Sequence, residues 1–374
     1  MSFLRTIQVV NVRWFNATAW YGLELARLLN AAGHESRVVA LAGTETFEKA
    51  ESMGLRPVAM PLNAKNPLEF PGLLRDMSRL IRAFRPDVVN CHRGESFLFW
   101  GMLKGMGGYA LVRTRGDQRL PKGNLPNRIL HTRVADAVVA TNSVMTRHFA
   151  EKMHVPADRL YTILGGVDTA RFRFDPEGRA AVRARYGLAD EDFVVGLLGR
   201  FDRVKGQRET IAALSRLVNS GMRNIRLLLF GFSTATLQEE VEAWIREAGM
   251  GDYVTITGKV PDVAACLSAL DAGVVASLWS ETIARAALEI MACGRPLVST
   301  SVGVMPDLLP ASALVPPGDV DALADVLRRA ATDAVWRREL TEACSKRIAA
   351  LGDADFLNQT LAVYADACSR RRRS

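Results

Sequence analysis

Two successive α/β domains, each built on a mostly parallel sheet, are the fold class that this 374-residue sequence predicts. Three observations carry the prediction. Short apolar runs alternate with helical segments, the alternation restarts after residue 190, and the length suits two domains of ordinary size. The expected divisions are 1–170, 190–350, and a C-terminal stretch 351–374.

In the first domain Ile7 to Val12 reads as a buried strand, and a loop follows it. Gly22 to Ala32 reads as a helix with Leu25, Leu28 and Leu29 on one face and Gly33 as its stop. Ser36 to Leu41, Asp87 to Asn90, Tyr109 to Thr114 and Ala137 to Ala140 continue the strand series. The second series is Phe193 to Leu198, Ile225 to Phe230, Val254 to Ile256, Ala272 to Ala276 and Pro296 to Thr300, with a helical segment in each gap. The polar stretch 165–192 reads as the linker. A helix over about 354–368 and a fraying run, Arg370 to Arg373, close the chain.

Composition narrows the class. Hydrophobic residues are 49% and charged residues 24%, which excludes a mainly disordered chain. The five cysteines (91, 266, 293, 344 and 368) have no Cys-x-x-Cys spacing. They argue against a disulfide framework or structural zinc and fit a reducing cytoplasm. The N-terminus shows no signal-peptide pattern, and no apolar run is long enough to span a bilayer. The net charge of +8 is uneven: residues 1–175 hold 24 Lys/Arg against 15 Asp/Glu, and the remainder 24 against 25. A basic first half favours an anionic partner, whether nucleic acid, acidic lipid or a phosphorylated substrate; a solvated basic surface with no specific partner is the alternative.

Ligands of open parallel sheets bind beyond the carboxyl ends of the strands, so the chemistry should lie in the loops there. The most informative one is Ser280 to Pro296. Ile283, Ala286, Ala287, Ile290 and Met291 have helical spacing, and Gly294 and Pro296 end the helix. Glu281 falls in the loop before it and Glu289 about two turns in. The first amides, near Thr282, Ile283 and Ala284, lack helical partners, carry partial positive charge and suit a diphosphate. The two carboxylates then flank the phosphates and can accept from sugar hydroxyls. A second loop, Gly199 to Gly206, follows a strand: Gly199 lets the chain turn, and Arg200 and Lys205 can neutralise a departing diphosphate.

These two segments resemble the retaining GT-B glycosyltransferases of family 4, group 1 type, whose signature is a Glu-x7-Glu pair. The resemblance implies two facing Rossmann-like domains with an inter-domain cleft. It implies that Glu281 contacts the transferred sugar, Glu289 the ribose, and Arg200 and Lys205 the leaving group, without a metal or other cofactor. It places Lys259 and Val260 in the loop framing the nucleotide base, and Gly231-Phe232-Ser233 at the glycine-rich turn. It gives His92, in Asn90-Cys91-His92, a position facing the sugar, and likens Gly165-Gly166-Val167-Asp168 to the family's Asn-Gly-Val-Asp segment. The C-terminal helix would cross back to the first domain. Relatives often carry two glycines in the loop after the first strand, where this chain has Ala17-Thr18-Ala19.

On the acceptor side, the loop with Trp14, Asn16 and Thr18 is rich in aromatics, and Thr114 to Arg119, with Arg115 and Asp117, is polar and basic. The expected function is transfer of a sugar from a nucleotide diphosphate donor to the hydroxyl of an anionic glycan or glycolipid, as in lipopolysaccharide or other envelope glycan synthesis. The expected place is the cytoplasm, with peripheral contact at the inner, anionic face of the membrane. Nucleic acid is not an expected partner, since no recognised binding module is present. Rival readings are an epimerase or phosphorylase of the same fold and a non-catalytic sugar-nucleotide binder. A dinucleotide oxidoreductase lacks support because no Gly-x-Gly-x-x-Gly follows the first strand.

Overall fold

The computed structural model describes residues 3–117 and 119–373. It divides into two compact units: one comprises the chain through Gly165 together with the segment from Asp353 onward, the other Gly166–Gly352.

The first unit holds seven strands: β1 (Arg5–Val10), β2 (Glu35–Ala40), β3 (Val58–Ala59), β4 (Val88–Cys91), β5 (Ala110–Arg115), β6 (Ala137–Ala140) and β7 (Leu160–Thr162). They pair in the order β3-β2-β1-β4-β5-β6-β7, every pair parallel. Thr6 to Val10 of β1 are all buried, as expected of a central strand covered by helices on both faces. The second unit holds β8 (Phe193–Leu198), β9 (Ile225–Phe230), β10 (Val254–Ile256), β11 (Ala272–Val275), β12 (Leu297–Thr300) and β13 (Leu314–Val315). Their order is β10-β9-β8-β11-β12-β13, again all parallel. In each sheet the strand order reverses once, between β1 and β4 and between β8 and β11. Crevices at such points open beyond the carboxyl ends of the strands.

Several expectations need correction. The first helix is Ala17–Ala31 and starts before Gly22, because Asn16 caps it, its side-chain oxygen accepting from the Ala19 amide at 3.0 Å. Gly22 lies inside this helix where it crosses β1; a Cβ there would lie 2.6 Å from the Val10 side chain. The stretch 165–192 is not a bare linker. It carries the helix Pro176–Arg185, whose Arg179 and Arg183 ion-pair with Asp271 inside the second unit. The last helix, Asp353–Arg373, is longer than expected and belongs to the first unit. Its Tyr364 hydroxyl accepts from Gln8 Nε2 at 3.1 Å and Asn90 Nδ2 at 3.0 Å, and Phe356 meets Tyr21 edge-on at 4.7 Å. The basic run is not frayed at its start: Arg370 bonds the Tyr161 hydroxyl and ion-pairs with Asp158. No helix among the described residues is long and apolar enough to cross a membrane.

Candidate active site

In the second unit the reversal point is built from the ends of β8 and β11. After β8 the chain passes Gly199 and makes a tight turn at Arg203–Lys205. Asp202 organises this turn: one carboxylate oxygen accepts from the Val204 amide at 3.1 Å, the other from Arg200 at 2.9 Å. Gly206 follows at φ +71°, where a Cβ would lie 2.0 Å from the Ala276 carbonyl oxygen. Only glycine lets this loop press so closely against the end of β11. The Leu278 amide donates to the Val204 carbonyl at 2.8 Å, tying the two loops together.

That closeness brings Lys205 to Glu281. The ammonium donates to Glu281 Oε2 at 2.7 Å, and the Ser277 hydroxyl donates to the same oxygen at 2.6 Å. The carboxylate is nearly buried. Its backbone is held too: the Val304 amide donates to the Glu281 carbonyl at 2.7 Å, and Gly303 packs so tightly that a Cβ would fall 1.9 Å from that oxygen. Arg200 is half exposed and pairs with Asp202 rather than Glu281.

The helix after Glu281 is Arg285–Ala292, so Glu289 lies one turn in rather than two. The helix starts later than Thr282 because Ala284 adopts a left-handed conformation, φ +53° and ψ +48°, as the residue before the first turn. The amides at the helix start are those of Arg285, Ala286 and Ala287, while the Ile283 and Ala284 side chains are buried. An alanine in this region costs on the order of 1 kcal/mol, a strain of the kind that clusters at ligand sites. Glu289 is buried and accepts from Arg285 at 2.9 Å; burial raises its pKa, opposed by the Arg285 and Arg171 cations. Asp168 orients that second arginine, accepting from the Ala170 and Arg171 amides at 3.0 Å. Arg171, Arg173, Phe174, Pro261 and Asp262 line a cavity of about 730 Å³ beside the Lys259-Val260 loop. Lys259 itself sits 4.4 Å over the Phe232 ring. Gly231 is obligatory in its turn, since a Cβ would lie 2.3 Å from the Gly199 carbonyl oxygen.

The first unit holds a second polar cluster, at the ends of β1, β4 and β5. Buried Asn11 donates to Asn63 at 2.9 Å and to Glu95 at 3.0 Å. Arg93 pairs with Glu95 at 2.6 Å; Arg93, Arg113 and Arg115 surround Asp117 at 4.0, 3.8 and 3.9 Å. Several buried polar atoms here lack a hydrogen-bond partner: Asn11 Oδ1, Ser96 Oγ, Arg93 Nε, Arg113 Nη2 and Arg115 Nε. Burial, and after it the neighbouring Arg115, push the pKa of Arg113 down to about 10, opposed by Asp117, Cys91 and Glu95. Unpaired buried donors of this kind suit an oxyanion.

Arg115 and Asp117 therefore join a larger cluster, whereas two other acceptor-side expectations have structural duties. Asn16 caps its helix, and the buried Thr18 hydroxyl donates to the Gly116 carbonyl at 3.0 Å. Trp14 is open, at 68% exposure. His92 is buried under the strand ends, Nε2 paired with Gln8 Oε1 at 2.9 Å and Nδ1 without a partner. Desolvation and then Arg113 lower its pKa to about 3, so the ring is neutral. Sequence reasoning missed Asn11, Arg93, Glu95, Arg113 and Ser277. Each lies in the C-terminal half of a strand or within four residues after one, and that placement was the available signal.

Two parallel-sheet domains with a helix-start site of this kind define the GT-B class of glycosyltransferase folds. The chain belongs to family 4 of these proteins: the profile for Glycosyltransferase Family 4 matches residues 18–171, and that for Glycosyl transferases group 1 matches 192–333. A D-inositol 3-phosphate glycosyltransferase of Segniliparus rotundus is 26% identical over 73% of this chain and 62% of its own. A 2-deoxystreptamine N-acetyl-D-glucosaminyltransferase of Streptomyces fradiae is 29% identical over 78% of this chain and 73% of its own. The chain thus spans about three-fifths of the length of the first of these relatives. Among solved structures, Anabaena HepE in complex with UDP superposes with a TM-score of 0.84 at 18% identity, covering 97% of this chain and all of that one.

Proposed function

We propose that this protein transfers a sugar, with retention, from a nucleotide diphosphate-sugar to a hydroxyl of an anionic acceptor in cell-envelope glycan assembly. The observation that carries this reading is the Lys205–Glu281–Ser277 constellation, locked by Gly206 and Gly303 at the reversal point of the second sheet. The donor diphosphate takes the amides at the start of Arg285–Ala292 and draws Lys205 toward it. Glu281 is then free to accept from a sugar hydroxyl, and Glu289 from the ribose. The bond from the anomeric carbon to the diphosphate oxygen breaks, with its electron pair leaving on that oxygen. The acceptor oxygen bonds to the anomeric carbon, and its proton goes to the departing diphosphate. Lys205 and Arg200 supply the stabilising charge, so the reaction needs no metal.

The acceptor's anionic character is supported by Arg93, Arg113 and Arg115, whose donors exceed what Glu95 and Asp117 can satisfy. The names of the inositol 3-phosphate relatives, whose acceptor bears a phosphate, point the same way. The experiment is a melting-temperature screen with UDP, GDP and ADP, followed by transfer from the matching labelled sugar nucleotide in EDTA. A ligand at a hundred times its Kd adds about 2.7 kcal/mol of stability, an easily read shift. Failure of every nucleotide to raise the melting temperature would refute the reading. Donor conversion without any acceptor, or phosphate dependence, would instead favour an epimerase or phosphorylase.

A further inference from the structure

Two helices of the first unit, Phe70–Phe84 and Phe97–Gly107, lie side by side, with Phe70 against Phe99 at 5.0 Å and Arg82 Nη2 3.8 Å from the Met106 sulfur. The second helix turns Phe97 and Trp100 into the core and holds Phe99 and Leu103 partly buried against it. Its opposite face is Leu98, Met102 and Met106, exposed by 51%, 62% and 48%. Spaced four residues apart, they form one apolar stripe two turns long. A contiguous stripe of this kind on a surface helix marks an interaction site, unlike single exposed apolar residues.

The neighbouring helix adds charge. Arg75, Arg79 and Arg82 recur on its exposed side, and Arg85 follows just past its end. The side chains of Arg75 and Arg79 are 71% exposed. Acids facing this row are Asp76, which pairs with Arg79 at 3.3 Å and Arg75 at 3.7 Å, and Glu69 in the preceding turn. Arginine remains in excess, four against two. The Arg82–Met106 contact marks the seam where the basic row meets the apolar stripe. An apolar stripe beside a row of cations fits the interface of an anionic bilayer, with side chains inserted and guanidinium groups at the headgroups.

We propose that this helix pair is a membrane-docking face that seats the first unit on an anionic bilayer. The surface is separate from the donor residues and independent of the reading given for them. Neither the Trp14 loop nor the C-terminal arginine run is required.

The test is co-sedimentation of the full chain with vesicles of phosphatidylglycerol and phosphatidylcholine, against pure phosphatidylcholine, near 0.1 M salt. Preferential binding to the anionic vesicles is expected. Leu98→Gln, Met102→Gln and Met106→Gln together should weaken it more than tenfold, since a fully buried Leu or Met side chain contributes about tenfold or more. Arg75→Gln, Arg79→Gln and Arg82→Gln should cost about fivefold each, and less at high salt. If the triple variant does not fold, a dye on Met102→Cys should shift to the blue on anionic vesicles. Absence of binding to anionic vesicles, undiminished binding by both sets of variants, or an unmoved dye would each overturn the proposal. So would a dimer in solution that the apolar triple variant dissociates, because the face would then belong to a second copy.

Discussion

Lys205 and Glu281, to which the family pattern gives separate partners on the donor, are bonded to each other at 2.7 Å. The ion pair keeps two charges satisfied in a nearly buried site. Ser277 donates to the same carboxylate oxygen at 2.6 Å, so Glu281 has a second donor besides the ammonium.

Removing both members should therefore cost less stability than the two single removals summed. Lys205→Ala leaves Glu281 buried with one donor and is expected to cost about 1–3 kcal/mol. Lys205→Ala with Glu281→Ala should cost less than the sum of the singles by on the order of 1 kcal/mol. Either single change should lower transfer by about a hundredfold or more. Denaturant melts and a transfer assay on the four proteins check this; strict additivity would contradict the pair.

Glu289 should trade stability for binding. Its folded-state pKa is raised, so the ionised form is disfavoured by the fold. The stability it contributes is fully present below the unfolded value and lost as pH rises through the folded one. Glu289→Gln should then melt no lower than the parent at pH 7.5, with the comparison more favourable there than at pH 4. Nucleotide-induced stabilisation should fall in the same variant. A melting point several degrees lower at pH 7.5 would argue that the Arg285 pair dominates.

His92 should not titrate between pH 5 and 8 by NMR, because its pKa is lowered to about 3. Protonation is easier in the unfolded chain, so stability is lost as pH falls from about 6.5 toward 3, by up to about 1.4 kcal/mol per pH unit. His92→Gln should flatten that acid limb. A ring that titrates near neutrality would mean the site opens to water.

Arg93→Gln and Arg115→Gln, both at the rim of the first unit's cluster, should raise the KM for an anionic acceptor several-fold each. Nucleotide binding, measured by melting shift, should stay as in the parent. Loss of nucleotide binding in these variants would dissociate the cluster from acceptor recognition.

Gly206→Ala should destabilise by more than about 2 kcal/mol. A methyl there would collide with the Ala276 carbonyl in a left-handed backbone conformation, and the loop carrying Lys205 would have to move. Chemical denaturation together with donor binding reads both effects.

Interior strands were legible because burial on both faces demands continuous apolar runs: Ala137–Ala140, Phe193–Leu198 and Ile225–Phe230 fall where the sequence predicts them. The edge strands β3, β7 and β13 were not, since two or three residues at a sheet edge leave little pattern. The Glu281 loop was legible as the connection from a strand to a helix through its residue types and spacing, but the late helix start was not. It depends on an alanine in a left-handed conformation, for which alanine gives no local signal. Asn16 was legible as a polar loop residue but not as the cap of the first helix, although capping is a common use of asparagine just before a helix. The arginine cluster depends on three strand ends brought together by parallel pairing, which spacing along the chain does not reveal.

The return of the final helix, with Tyr364 bonded to Gln8 and Asn90 of the two innermost strands, also governs how the polypeptide matures during synthesis. A nascent chain halted near residue 165 has all seven strands of the first sheet yet lacks the phenol that satisfies those buried amides. The second unit is contiguous and can close first, leaving the earlier-made half to lock only once the segment from Asp353 onward has been made.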